Sequence, residues 1–282
     1  MKLAALVALG ILSLFNFTQS SSGLTADPSK VCDACDEWNT PRAGQKVFGD
    51  TYTVGTAGLS SVLVTSPAGH ILLDGGLPQS APLIAENIRA LGFKTADVRY
   101  ILTSHGHYDH VGGIAALQRA SGARVVGSAS TAQALERGEN TPDDPQFGFG
   151  RTANAFPPVK NVQVVGDGEI VRLGELAVIA HLIPGHAPGS TSWTWRSCEG
   201  TTCQNIVYAD SLTSPSAEGF RYSDDPKRVA AFRRSIDTVA SLPCDILLAP
   251  HPGFAEGQTC QSYAQGGRDM LEKRLAEERK GR

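Results

Sequence analysis

Three histidines and an aspartate fall within six positions of the run Thr103-Ser104-His105-Gly106-His107-Tyr108-Asp109-His110-Val111-Gly112-Gly113. Imidazole is a common metal ligand, and carboxylate suits the same cations. In an extended segment His105 and His107 lie on one side, so both can reach one ion. Asp109 and His110 follow where a turn can aim them at a second ion. The pattern predicts a two-metal hydrolytic centre that cuts a bond with metal-activated water.

Two further histidines have matching surroundings. His186 sits in Ile183-Pro184-Gly185-His186-Ala187-Pro188-Gly189 and His251 in Leu248-Ala249-Pro250-His251-Pro252-Gly253. Each Pro/Gly turn directly follows an apolar, β-branched stretch that reads as a strand. If the sheets converge, these loops and the central run open on one edge. Five imidazoles and Asp109 then make six ligands, three for each of two ions. His70 and His181 fall inside expected strands and are read as ordinary packed or surface histidines.

The elements that must position these groups are legible by period. Residues 51–54, 60–65 and 70–73 read as strands, and Ser80 is a candidate cap for a helix carrying Ile84, Ile88 and Leu91. Residues 98–102 form a strand that delivers the chain into His105. Gly112-Gly113 lets the backbone turn closely, residues 114–120 form a short helix, and residues 124–127 form the next strand. That order is an α/β crossover with ligands at a strand's carboxyl end. Residues 141–158, rich in proline and glycine, are a long loop and a candidate wall of the site. Strands follow near 162–165, 170–173, 176–183, 191–196 and 206–209. Asp225 and Pro226 start a helix striped by Val229, Phe232, Ile236 and Val239. Residues 246–248 are a last buried strand, and residues 263–279 a charged amphipathic helix. The expected architecture is α/β, two β-layers pressed together and flanked by helices.

The chain has 282 residues, 41% of them hydrophobic, and a net charge of −3. That charge gives no electrostatic case for nucleic acid or an anionic membrane. Lys2, a short apolar stretch to Phe17 and a run of small residues have the pattern of a secretory signal, with a cut near Ser20. Its loss leaves 24 basic against 28 acidic residues, a charge of −4. The expected organisation is a signal peptide over residues 1–20, an irregular arm over 21–44 and one domain over 45–282. Six cysteines fit an oxidising space. Cys198 and Cys203 flank a plausible hairpin tip, Cys244 and Cys260 can tie the last strand to the last helix, and Cys32 and Cys35 suit a small structural bridge.

The combination Ser104-His105-x-His107-x-Asp109-His110-x-Gly112-Gly113 resembles the metallo-β-lactamase superfamily, from about residue 47 to 279. Pro184-Gly185-His186-Ala187-Pro188-Gly189, Tyr208-Ala209-Asp210-Ser211-Leu212 and Ala249-Pro250-His251-Pro252 are similar to subclass B3 enzymes. The resemblance implies a four-layer αββα sandwich and two Zn2+ per chain. His105, His107 and His186 would hold one zinc, and Asp109, His110 and His251 the other. A hydroxide between them would be the nucleophile, oriented by Asp109, which can also help move its proton. Ser211 and Thr213 would bind the substrate carboxylate. The implied enzyme is a periplasmic, monomeric β-lactamase acting on penicillins, cephalosporins and carbapenems, with no nucleic-acid partner and no membrane partner after signal cleavage. A serine mechanism lacks its marks, since no S-x-x-K or G-x-S-x-G is present.

Three departures qualify the likeness. The stretch from His251 to Cys260 is shorter than in secreted relatives. Ala57 stands where some relatives have a cysteine, which leaves Cys32 as the natural partner of Cys35. Asp210 stands where glyoxalase II-like hydrolases have a metal-bridging aspartate. An inward Asp210 would favour a lactonase or thioesterase. The following Ser211 instead suggests that Asp210 supports the site from behind.

Overall fold

The computed structural model describes residues 24–280. The expected signal segment, residues 1–20, lies outside them. The arm contains one short helix, α1 (Cys35–Trp38).

The first sheet runs in chain order through β1 (Gln45–Phe48), β2 (Thr51–Thr53), β3 (Val62–Ser66), β4 (Gly69–Leu73), β5 (Val98–Leu102), β6 (Arg124–Gly127) and β7 (Gln163–Val164). β1 to β4 pair antiparallel, and β4 to β7 pair parallel. Parallel neighbours need crossovers. These contain α2 (Ala81–Ala90), then α3 (Tyr108–Val111) with α4 (Ile114–Ser121), then α5 (Ala129–Arg137) with α6 (Arg151–Asn154). The second sheet holds β8 (Ile170–Leu173), β9 (Leu176–Leu182), β10 (Thr191–Glu199), β11 (Thr202–Tyr208) and β12 (Ile246–Leu248), in the order β12-β11-β10-β9-β8. Against it lie α7 (Pro226–Ser241) and α9 (Cys260–Lys280). The short α8 (Pro252–Ala255) lies between β12 and α9.

Side-chain alternation sorts residues into layers. Along β3 and β4, Val62, Val64, Ile71 and Leu73 face the second sheet, while Leu63 and Leu72 face the α2/α4 side. In β11, Ile206 and Tyr208 face the first sheet, and Val207 joins Phe232, Ile236 and Val239 of α7. Both faces of the central strands are therefore covered, and β3 and β4 read as nearly continuous apolar runs. The result is the expected αββα sandwich. Each fully buried aliphatic side chain contributes about 1.5–3 kcal/mol, so a charge at Leu72 or Val207 would break a layer contact. Trp193 Nε1 donates to the Thr103 carbonyl at 2.9 Å, which fastens β10 to the segment leading into His105.

The three disulfides Cys32–Cys35, Cys198–Cys203 and Cys244–Cys260 form as paired above. Asp225 caps α7, its Oδ1 accepting from the backbone N–H groups of Lys227 and Arg228. Ser80 occupies the N-cap position of α2 as expected, but its side chain makes no capping bond there. It ends a 3-10 turn, Pro78–Ser80, where its Oγ accepts from the Leu77 N–H and donates to Asn39 Oδ1. Two elements carry little sequence signal: β1, with only two apolar residues, and α5, whose buried face is mostly alanine and threonine. Among the described residues no helix is long and apolar enough to cross a membrane.

Candidate metal centre

β5 delivers the chain to Ser104, which is fixed from below. Asp74 takes the Ser104 N–H on Oδ1 and its Oγ on Oδ2, both at 2.7 Å, and the Tyr208 hydroxyl on Oδ2 at 2.8 Å. Asp74 follows β4 with a left-handed φ of 57°, a conformation costing a non-glycine residue about 1 kcal/mol. Its carboxylate thereby pins the ends of β4, β5 and β11 across the two sheets. Burial pushes the Asp74 carboxyl up to about 6, against the pull of His110 and these hydrogen bonds.

Above Ser104 the six expected residues come together in two groups. The ligand atoms of His105, His107 and His186 lie within 4.8 Å of one another, as do those of Asp109, His110 and His251. Ring centroids are 4.5 Å apart for His105–His107 and 4.7 Å for His105–His186. In the second group Asp109 Oδ2 is 3.1 Å from His110 Nε2 and 3.3 Å from His251 Nε2. The groups adjoin, with the His105 and His110 rings 4.5 Å apart. His107 stands at the start of the one-turn α3, its carbonyl accepting from the His110 and Val111 N–H groups, and that turn swings Asp109 and His110 away from the extended pair before them.

Four imidazoles have one nitrogen held by an acceptor outside the cluster. His105 Nδ1 donates to Asp210 Oδ1 at 2.8 Å, and His107 Nε2 to Asp144 Oδ2 at 2.9 Å. His186 Nδ1 donates to the Thr213 carbonyl at 3.0 Å, and His251 Nδ1 to the Gly58 carbonyl at 3.3 Å. Each contact fixes a tautomer and turns the other nitrogen inward, as metal-binding histidines require. His105 Nε2 is buried and has no hydrogen-bond partner. A buried polar atom left unpaired is costly, and an ion among these rings would satisfy it. The donors therefore fit a metal.

Charge is spread unevenly over the two groups. Burial, with His107 and His110 nearby, holds His105 well below the ordinary imidazole range, and burial with His105 and His107 does the same to His186. Neutral imidazole is the ligating form. Burial also opposes charge on His110, but Asp109 outweighs it and raises His110 to about 9. Asp109 is held well below the carboxylate range, where His110 and His251 overcome its burial. For His107, burial is outweighed by Asp144, which is itself lowered to about 2.

Asp210 sits behind His105, on its Nδ1, and burial raises its carboxyl. Ser211 is buried next to it. Thr213 backs His186, its Oγ1 also lying 3.1 Å from His186 Nδ1. His70 packs edge-on to Phe93 and His181 meets Thr194 Oγ1, both apart from the two groups. Sequence reasoning missed Asp74 and Asp144, and it missed Trp38, whose ring lies 5.3 Å from that of His251. Asp144 lies in the loop read as a wall, but nothing local distinguishes it from Asp143.

Residues 55–199, just over half of the chain, match the family model of the metallo-β-lactamase superfamily. The chain belongs to the metallo-β-lactamase superfamily. It is a metal-dependent hydrolase of the β-lactamase type. Among solved metallo-β-lactamases it is similar to MEM-A1, a subclass B3 enzyme isolated from a soil metagenome library: 45% identity over 87% of this chain and 100% of that one, with a TM-score of 0.83. A B3 metallo-β-lactamase with an active-site glutamic acid shares 43% identity over 89% and 97%, with a TM-score of 0.85. The metallo-β-lactamase MIM-1 from Novosphingobium pentaromativorans shares 45% over 86% and 93%, with a TM-score of 0.83. The likeness thus runs to subclass B3. A curated hydroxyacylglutathione hydrolase of Anaeromyxobacter dehalogenans is 33% identical over 68% of this chain, which spans 59% of that relative's length.

Proposed function

We propose that this chain is an exported di-zinc β-lactamase that opens the amide of penicillins, cephalosporins and carbapenems. The observation that carries the reading is the pair of adjoining three-ligand groups, in a chain 43–45% identical to solved subclass B3 metallo-β-lactamases. Export is supported by the three disulfides, which suit an oxidising compartment.

In this reading His105, His107 and His186 hold one Zn2+, and Asp109, His110 and His251 hold the second. Nitrogen donors with one carboxylate suit zinc. When bound, zinc supplies Lewis acidity and lowers the pKa of water to near ~7. The residues of the chain do the rest. Asp210, Asp144, Thr213 and Gly58 keep four imidazoles in the ligating tautomer. Asp109 orients the attacking water and helps pass its proton on to the departing lactam nitrogen. The Ser211 and Thr213 hydroxyls bind the substrate carboxylate, and the rings of Trp38 and Phe254 flank His251.

A panel of β-lactams incubated with zinc-loaded protein, with and without chelator, tests the reading. Chelator-sensitive loss of ring absorbance is expected. If no lactam shows it, the reading fails.

A thioesterase or lactonase on the same scaffold is the second reading, favoured by the hydroxyacylglutathione hydrolase likeness. It calls for Asp210 to bridge the ions. The 2.8 Å contact of Asp210 Oδ1 with the far side of His105 weighs against that. Turnover of thioesters or lactones above that of β-lactams would reverse the preference.

A further inference from the structure

Lys30, in the arm before α1, stands where three segments around the metal centre meet. Its backbone is fixed first. The Lys30 N–H donates to Gln79 Oε1 at 3.0 Å, and Gln79 Nε2 donates to the Lys30 carbonyl at 2.8 Å. This two-way clasp holds the arm to the turn between β4 and α2. The Lys30 ammonium then donates to the carbonyls of Thr152 at 2.9 Å and Ala155 at 3.1 Å. Thr152 lies in α6 and Ala155 directly follows it. The last carbonyls of a helix have no partner within it, and a lysine can satisfy them. The same ammonium lies 4.7 Å from the centre of the Tyr108 ring, within cation–π reach.

Both contacts of the ammonium lead to His107. Tyr108 is its neighbour in the chain. From α6 the route runs through hydrogen bonds. Asn154, buried at the end of α6, donates from Nδ2 to the carbonyls of Gln146 at 3.1 Å and Phe147 at 3.2 Å. The Gln146 N–H donates to Asp144 Oδ1 at 2.8 Å, and Asp144 Oδ2 accepts from His107 Nε2 at 2.9 Å. The contacts therefore close on themselves, from Lys30 through α6, Gln146, Asp144, His107 and Tyr108 back to Lys30. The ammonium is the link that joins Tyr108 to α6 in this circuit. A closed circuit holds Asp144 against His107 from two sides. An open one leaves the wall loop to carry Asp144 alone.

We propose that Lys30 is a positioning residue for the His105/His107/His186 group, holding Asp144 against His107 by closing this circuit. The inference rests on the reading of that group as a zinc site. A double-mutant cycle tests it. Zinc affinity is read by competition against a chromophoric chelator in wild type, Lys30→Met, Asp144→Ala and the double variant. Lys30→Met keeps an unbranched side chain and removes the charge and its donors. Lys30 acts one contact further out than Asp144, so its loss is expected to weaken zinc binding by less, about fivefold. In the Asp144→Ala background the circuit is already open, and the same change is expected to cost less than about twofold. Lys30→Arg, which keeps a charged donor, is expected to recover most of the wild-type affinity. A Lys30→Met affinity within about twofold of wild type overturns the role. A loss that persists undiminished without Asp144 also overturns it, because a general loosening of the arm would act equally in both backgrounds. Either result leaves the zinc and lactamase reading intact. A wild-type protein that takes up no zinc overturns both. If melting shows that Lys30→Met is unfolded, Lys30→Gln, uncharged but still polar, takes its place in the cycle.

Discussion

Asp144 holds His107 from behind, its Oδ2 accepting from Nε2 at 2.9 Å across 37 positions of chain. Asp144 is in turn fixed by the Gln146 backbone N–H at 2.8 Å and by Asn140 Nδ2 at 3.3 Å. Such supporting carboxylates typically contribute ten- to hundredfold in metal affinity. Asp144→Ala is expected to weaken zinc binding at the His105/His107/His186 group by about that factor, with Asp144→Asn in between. Competition against a chromophoric chelator measures it. An Asp144→Ala affinity equal to wild type would remove the assigned role.

Metal removal should also destabilise the fold. Each three-residue group takes two residues from the segment after β5 and one from a loop of the second sheet, so an ion bound there would link the two sheets. A ligand bound only by the native state stabilises by about 2.7 kcal/mol at one hundred times its Kd. Melting is expected several degrees lower in chelator and restored by added zinc. Superimposable melts would contradict the link between sheets.

Gly185 sets the height of His186 above α7. A Cβ there would lie 2.1 Å from Phe232 Cδ2, in a turn also held by Ser235 Oγ donating to the Pro184 carbonyl at 2.8 Å. Gly185→Ala is expected to cost about 1–3 kcal/mol through overpacking. It should also lower kcat/KM by about a hundredfold, because the ligand turn must shift by a sizeable fraction of an ångström or more. Denaturant melts and steady-state kinetics report the two effects separately. A variant with wild-type values in both would show that the turn relaxes freely.

Glu278 gives the pH dependence its sign away from the metals. Burial works against its charge, but Arg274 and the N–H groups of Tyr222 and Ser223 outweigh this and lower its pKa. A depressed native pKa contributes stability above the unfolded value, about 4.3. That stability is lost as pH falls through the native value. Glu278→Gln should therefore be about 1.5–3 kcal/mol less stable than wild type at pH 7, with the gap narrowing below about pH 4. A gap constant with pH would place the effect in packing rather than charge.

The convergence of the six residues was legible because each combines a rare residue type with a strand-end turn: the run after β5, and the Pro/Gly turns around His186 and His251. The layers were legible where β-branched and apolar residues alternate, as in Val62 to Val64 and Ile71 to Leu73. Most supporting groups were not. Asp210 was legible behind the site only through the family likeness, and its partner His105 lies 105 residues away. Asp74 acts on Ser104 and Tyr208 over separations of 30 and 134 residues, and nothing near it in the chain marks those partners. Thr213 and Gly58 act partly or wholly through backbone carbonyls, which every residue has. The Ser80 side chain misled because a serine ahead of an apolar stripe is a common cap, and here a tertiary contact with Asn39 claims its hydroxyl.

The Cys244–Cys260 bridge joins the approach to β12 to the first residue of α9, enclosing the segment that carries His251. Both ends of that segment are anchored, and His251 sits at its inner end beside β12. Insertions or deletions over residues 254–259 would therefore redraw the entrance while the imidazole keeps its register. Evolution could lengthen or shorten this one tethered stretch and change which molecules are admitted without rebuilding the chemistry within.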